Sequence, residues 1–214
     1  MISEARIERC RSHVRKWFAA HMPAHMTFHD LEHTLTVTRT AKDLGQALGL
    51  STADLGVLEV AALFHDTGYA KVYEGHEEAS ALLAQRFLER LGCAQRDIAR
   101  VAACIMSTRY KARPKNVLQQ VLRDADSAKA GQADFIDRSA ALKRELEVVR
   151  GERITPAQWL AENISYLEQH RFHTAVARAR YAQQKRLNME LLIERSRTAK
   201  GRRAPLTHAP ERFF

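Results

Sequence analysis

Ser51-Thr52-Ala53-Asp54-Leu55-Gly56-Val57-Leu58-Glu59-Val60-Ala61-Ala62-Leu63-Phe64-His65-Asp66-Thr67-Gly68 is the stretch on which the fold turns. Ser51 to Asp54 open a helix in the style of a capping box. Leu55, Leu58, Val60, Ala61, Ala62, Leu63 and Phe64 then make that helix apolar nearly all round, which predicts a buried central helix. Gly68 soon follows, so His65 and Asp66 fall at the C-terminal end, where a buried element opens into a loop. An ionisable pair is costly at the end of an apolar helix unless something there uses it.

Outward from this stretch, every periodic segment reads as helix. Ile7, Cys10, Val14, Trp17 and Phe18 recur at helical spacing, and the pattern ends near His21, ahead of Pro23. Asp30 can N-cap a second helix that carries Leu31, Leu35, Val37, Ala41, Leu44 and Leu48 towards Gly49, with His33 in its first turns. Further helices are predicted at about 76–91, 94–108 and 115–130. Thr155-Pro156 starts another through Trp159, Leu160, Ile164 and Leu167, and a long Arg-rich one runs from about 174 to 198. No segment alternates like a strand, so the fold class is all-α.

Composition agrees with that class. Only 9 Gly and 5 Pro occur in 214 residues, and 45% of the chain is hydrophobic, enough for one sizeable core. One domain is expected over residues 1–198. Three widely spaced cysteines, Cys10, Cys93 and Cys104, suggest neither a disulfide framework nor a zinc knuckle. The first residues lack the apolar core of a signal peptide, and no apolar run approaches the roughly 18 residues of a membrane span. A cytoplasmic protein is expected.

The net charge is +9, of which residues 195–214 carry +5 through six Lys/Arg against Glu211. Residues 199–214, with Gly201, Pro205 and Pro210, read as a flexible basic tail rather than a nucleic-acid arm.

The chemistry lies in an order of residue types: His33, then His65-Asp66, then a carboxylate at Asp124 or Asp126. Two imidazoles and two carboxylates make a mixed nitrogen and oxygen set suited to one divalent ion (Mn, Mg, Fe, Ni or Co), and the absence of a thiolate argues against structural zinc. Residues two apart on a helix point about 200° apart, so Asp124 and Asp126 cannot easily face one ion together.

Three stretches, Phe28-His29-Asp30-Leu31-Glu32-His33-Thr34, Leu63-Phe64-His65-Asp66-Thr67-Gly68-Tyr69 and Asp124-Ala125-Asp126, resemble the HD superfamily of phosphohydrolases over about residues 28–130. The resemblance implies an all-α fold with additional C-terminal helices here. It implies metal ligation by His33, His65, Asp66 and, from the Asp-x-Asp variants, Asp126, leaving Asp124 as a nearby partner, an alternative ligand or a helix-surface charge.

The first stretch is similar to the YHN-x-x-H pattern of cyclic-nucleotide phosphodiesterases and small bacterial HD proteins, in which the first His is the general acid. That correspondence makes His29 the acid. His29 and His33, four apart, would share a helix face if the helix began early enough; otherwise His29 is exposed or near the cap. The Asn of the pattern is Asp30 here, which could orient His29 or simply cap the helix.

In related HD proteins a His placed like His76 contacts phosphate or a second metal, whereas the bland alternative is an ordinary helix start enriched in acids. Arg109 and Lys129 are the cations expected to meet an anionic substrate, from their closeness to the motifs. His170, Arg171 and His173 precede a helix start, where they could close the pocket, but an exposed helix connection is the expectation.

The function expected is metal-dependent hydrolysis of a phosphoester or phosphoanhydride in a nucleotide or other small phosphate ester. Asp66 or Asp126 would orient the nucleophile and His29 would protonate the leaving group. The alternative is a metal-containing nucleotide-sensing or partner-binding HD protein without significant catalysis. A third class, nucleic-acid binding through the Arg-rich region 171–203, would show steep salt dependence. No membrane partner is expected, and oligomerisation is left open.

Overall fold

The computed structural model describes residues 1–200, with side chains as far as Thr198. Within them the chain forms α1 (Glu4–His21), α2 (Leu31–Ala47), α3 (Thr52–Phe64), α4 (His76–Arg90), α5 (Gln95–Met106), α6 (Val117–Asp126), α7 (Phe135–Arg150), α8 (Pro156–Gln169) and α9 (Ala175–Lys200). Two short 3-10 turns, Thr67–Ala70 and Ala128–Gly131, follow α3 and α6, and no strand occurs among the described residues. The expected segment 115–130 is therefore a helix ending at Asp126 followed by a 3-10 turn. α9 runs two residues past the expected boundary at 198; residues 201–214, most of the basic tail, lie outside the described residues.

The central position of α3 follows from its sequence. Every residue from Gly56 to Phe64 is buried, with α1, α2 and α5 packed around it. Burying each of Leu58, Leu63 and Phe64 is worth about 1.5–3 kcal/mol, and truncating either leucine to Ala would cost about 2–5 kcal/mol. Ser51 caps the helix by accepting from the Asp54 N–H. Glu59, the one buried charge of this helix, is held by ion pairs to Arg11 and Lys42. The three cysteines are free and buried.

The second half of the chain closes over the first. α9 packs on α8 and on the Ala128–Gly131 turn. Asn188 donates from its amide to the Ala130 and Gln132 carbonyls at 3.0 and 2.8 Å. Gly131 makes this approach possible, since a Cβ there would lie 2.5 Å from the Tyr181 Cβ and carbonyl oxygen. No helix among the described residues is long and apolar enough to cross a membrane.

Candidate metal centre and pocket

Local structure delivers the first ligand candidates. Asp30 N-caps α2 by accepting from the His33 N–H at 2.7 Å, which fixes the turn bearing His33. At the end of α3 the His65 Nδ1–H donates to the Ala62 carbonyl at 2.8 Å, leaving Nε2 as the bare nitrogen. The Thr67 hydroxyl donates to the Phe64 carbonyl, and the Trp17 indole N–H donates to the Thr67 carbonyl, so the turn carrying Asp66 is tied from both sides.

These turns converge. His65 Nε2 lies 3.0 Å from Asp66 Oδ2 and 3.5 Å from Asp126 Oδ1; His33 Nε2 lies 3.3 Å from each of the same two oxygens. His33, His65 and Asp66 offer ligand atoms all within 4.8 Å of one another and could hold a metal ion. His33 Nε2, His65 Nε2 and Asp66 Oδ2 are buried and make no hydrogen bond. Separations near 3 Å are the spacing of adjacent ligand atoms sharing one small cation, so the donor set fits such an ion.

Electrostatics agree with that fit. Burial opposes charge on both imidazoles, yet the Asp66 and Asp126 carboxylates outweigh it and raise His33, and His65 more strongly. Burial likewise works against ionised Asp66 and Asp126, but the two histidines hold both well below the usual carboxylate range. The cluster stabilises positive charge, and protons compete with a cation for it.

Asp124 and Asp126 face different ways. Asp124 is fully buried and accepts from the His173 N–H, the Thr174 N–H and the Thr174 hydroxyl at 2.7–2.8 Å, which anchors the start of α9. Its burial corrects the reading of a helix-surface charge, and both of its oxygens are engaged there.

Beside the cluster lies a cavity of about 810 Å³, within the range of small-molecule sites. Asp66, Asp126, His29, His76, Lys129 and Arg109 all line it. Gly68 lets the start of α4 approach: a Cβ there would sit 2.0 Å from the His76 carbonyl oxygen, and its N–H donates to Ser80 Oγ. His76 consequently sits with Nε2 3.8 Å from Asp66 Oδ1. Its Nδ1 lies 3.0 Å from the Tyr73 carbonyl, and burial lowers its pKa. Lys129 holds its ammonium 3.8 Å from the Phe28 ring centroid, and burial brings its pKa down to about 8. Arg109 is exposed on the rim, paired with Glu78 at 2.6 Å.

His29 is not on α2. The helix begins after Asp30, so His29 lies before the cap, and the shared helix face considered from its spacing does not form. Its ring nevertheless stands 5.8 Å from that of His33, edge to face. Tyr69 is stacked between two imidazoles, 4.3 Å from His29 and 3.7 Å from His76. Asp30 caps the helix and does not orient His29; that contact comes from Glu145 on α7, whose Oε1 accepts from His29 Nδ1–H at 2.5 Å.

The sequence around Glu145, with Lys143, Arg144 and Glu147, resembles a solvated face and does not announce this role. The available signal was its spacing, three residues after Leu142 and beside Leu146, on the stripe that α7 buries. The connection at His170, Arg171 and His173 leaves Arg171 exposed, and all three residues border the pocket. His170 Nε2 lies 2.9 Å from Ser127 Oγ.

Residues 30–131 match the HD domain family, and the chain is an HD-domain protein. No curated protein matches it. Among solved structures, a predicted HD superfamily hydrolase of an uncultured Thermotogales bacterium is 23% identical, with a TM-score of 0.61 over 91% of this chain and 92% of that one. A Lactobacillus plantarum protein is 18% identical with a TM-score of 0.70, over 94% and 100% of the two chains. Bacillus subtilis YpgQ, in a structure with ADP, is 21% identical with a TM-score of 0.64, over 94% and 96%. At these identities the likeness is one of fold, and it extends over α7 to α9 as well as the HD-matching segment.

Proposed function

We propose that this protein is a metal-dependent phosphohydrolase acting on a nucleotide or other small phosphate ester. The observation that carries the proposal is the set of buried lone-pair atoms on His33, His65 and Asp66, unpartnered and opening beside a cavity walled by cations. His33, His65, Asp66 and Asp126 would hold one divalent ion, which supplies Lewis-acid polarisation of a phosphoryl oxygen and a more acidic water.

The chain's own groups do the rest. Lys129 and Arg109 bring positive charge to the phosphate, and His76 presents an imidazole beside Asp66. Asp66 or Asp126 orients the attacking water by accepting its hydrogen bond. As the bond from phosphorus to the leaving oxygen breaks, His29 gives that oxygen its Nε2 proton. Tyr69, Phe28, Leu142 and Leu146 form an apolar wall that suits a compact organic group. The ADP seen with YpgQ supports a nucleotide as the class to test first.

A hydrolysis panel crosses Mn, Mg, Fe, Ni and Co with nucleoside mono-, di- and triphosphates, cyclic nucleotides and generic phosphoesters, with His65→Ala as control. Turnover by the wild type and none by the variant is expected. Metal binding without turnover of any substrate would overturn the hydrolase in favour of a sensing or partner-binding protein.

A further inference from the structure

Glu145 is a carboxylate with no solvent exposure, in the middle of a helix, 116 residues from the imidazole it touches. Such a group is costly to bury unless its lone pairs are taken, and here they are. Oε2 accepts from the Phe28 N–H at 3.0 Å and the His29 N–H at 3.1 Å. Oε1 accepts from His29 Nδ1–H and, at 3.3 Å, from the Tyr73 hydroxyl. The Thr27 hydroxyl also donates to the Ala141 carbonyl at 2.8 Å, so the segment ahead of α2 is fastened to α7 at two heights.

This arrangement does more than hold a loop. The backbone bonds alone would fix the chain, and only the bond to Nδ1 acts on the ring. A carboxylate at Nδ1 keeps the proton there, which fixes the tautomer and the ring plane. Nε2 is then the ring position left to exchange a proton with a ligand. It lies 3.5 Å from the Tyr69 hydroxyl, and both of these residues line the cavity beside Asp66.

We propose that Glu145 is the positioning residue for His29: it holds the ring by Nδ1 so that Nε2 carries the proton destined for the leaving oxygen. The assignment rests on the hydrolytic function proposed above. Glu145 itself stays ionised throughout; His29 passes from imidazolium to neutral imidazole, retaining Nδ1–H, and regains its Nε2 proton from water. Both residues lie outside residues 30–131, so this acid is an addition to the HD-matching segment, completed by α7.

Two measurements test it, one independent of turnover. Long-range proton–nitrogen NMR of the wild type should find the neutral His29 ring protonated at Nδ1. In Glu145→Gln the amide oxygen can still accept from the backbone while its NH2 faces Nδ1, so the ring should switch to the Nε2–H tautomer. A wild-type His29 bare at Nδ1 would overturn the proposal, whether or not any substrate is hydrolysed, and needs no variant to fold.

In turnover, Glu145→Gln should lower kcat about 10–10²-fold with KM and bound metal unchanged. The loss should shrink on a nitrophenyl phosphate ester, whose leaving group needs little protonation. In a His29→Ala background the same substitution should do nothing further. An equal loss on both substrates, or a full additional loss beside His29→Ala, would reduce Glu145 to scaffold. A wild type inactive on the whole panel would instead sink the hydrolytic function and leave the NMR result to stand alone.

Discussion

Residues 30–131 place their chemistry at helix ends. His33 sits in the first turn of α2, His65 and Asp66 where α3 stops, and Asp126 at the last residue of α6. The segment from α7 onward works from helix interiors: Glu145 reaches His29 from mid-α7, and Asn188 holds the Ala128–Gly131 turn from mid-α9. Helix ends leave backbone groups and side chains to be satisfied locally, so a site built there is assembled by capping and turns. A site built from helix interiors exists only once the helices have packed. The first region would hold the ion and the second would complete the acid and close the pocket.

The largest expected effect breaks the first region alone. His65→Ala or Asp66→Ala should abolish bound metal and all hydrolysis while leaving the helical circular dichroism largely intact. Stoichiometric metal in the purified variants, by elemental analysis, would refute the ligand set.

Next comes the junction of the two regions. His29→Ala should keep its metal and lose about 10²–10⁴-fold in turnover, the usual range for a general acid. The deficit should be smaller on a nitrophenyl ester. Loss of the ion from this variant would make His29 a ligand or scaffold instead.

The paired aspartates sharpen the comparison further, because they sit two residues apart and serve different regions. Asp126→Ala should lose metal with little change in urea midpoint. Asp124→Ala should retain metal but lose about 1–3 kcal/mol of stability, since it strands the buried N–H of Thr174 and the start of α9. The reverse pattern in metal content would exchange their roles.

The smallest effect concerns Lys129, whose pKa burial lowers to about 8. Its charge is present below that pH and lost above it. KM for a phosphate substrate should therefore rise about fivefold as the pH passes 8, the worth of roughly 1 kcal/mol. Lys129→Arg should flatten the rise, and a KM profile identical in both proteins would exclude Lys129 from substrate binding.

Much of this was legible in the sequence because its signals are short-range. The all-round apolar α3, the Asp30 cap and the His65-Asp66 pair each depend on residues within a few positions of one another, so periodicity and capping chemistry locate them. The 200° separation of Asp124 and Asp126 also follows from helix geometry alone. What it could not say was which way either would face, because that depends on where α9 begins to pack.

Glu145 marks the limit of the sequence. Among Lys143, Arg144 and Glu147 its own neighbourhood resembles a solvated surface, and nothing nearby names His29 as its partner. The start of α2 after Asp30 similarly removed the helix that would have related His29 to His33, and only the fold supplied another element to hold that ring. The sequence by itself determined the helices, the buried centre and the order of candidate ligands, since these arise from local preferences and residue type. Tertiary structure alone decided the orientation of His29, the engagement of Asp124 and the walls of the pocket, because each joins groups from 40 to 116 residues apart whose meeting depends on packing.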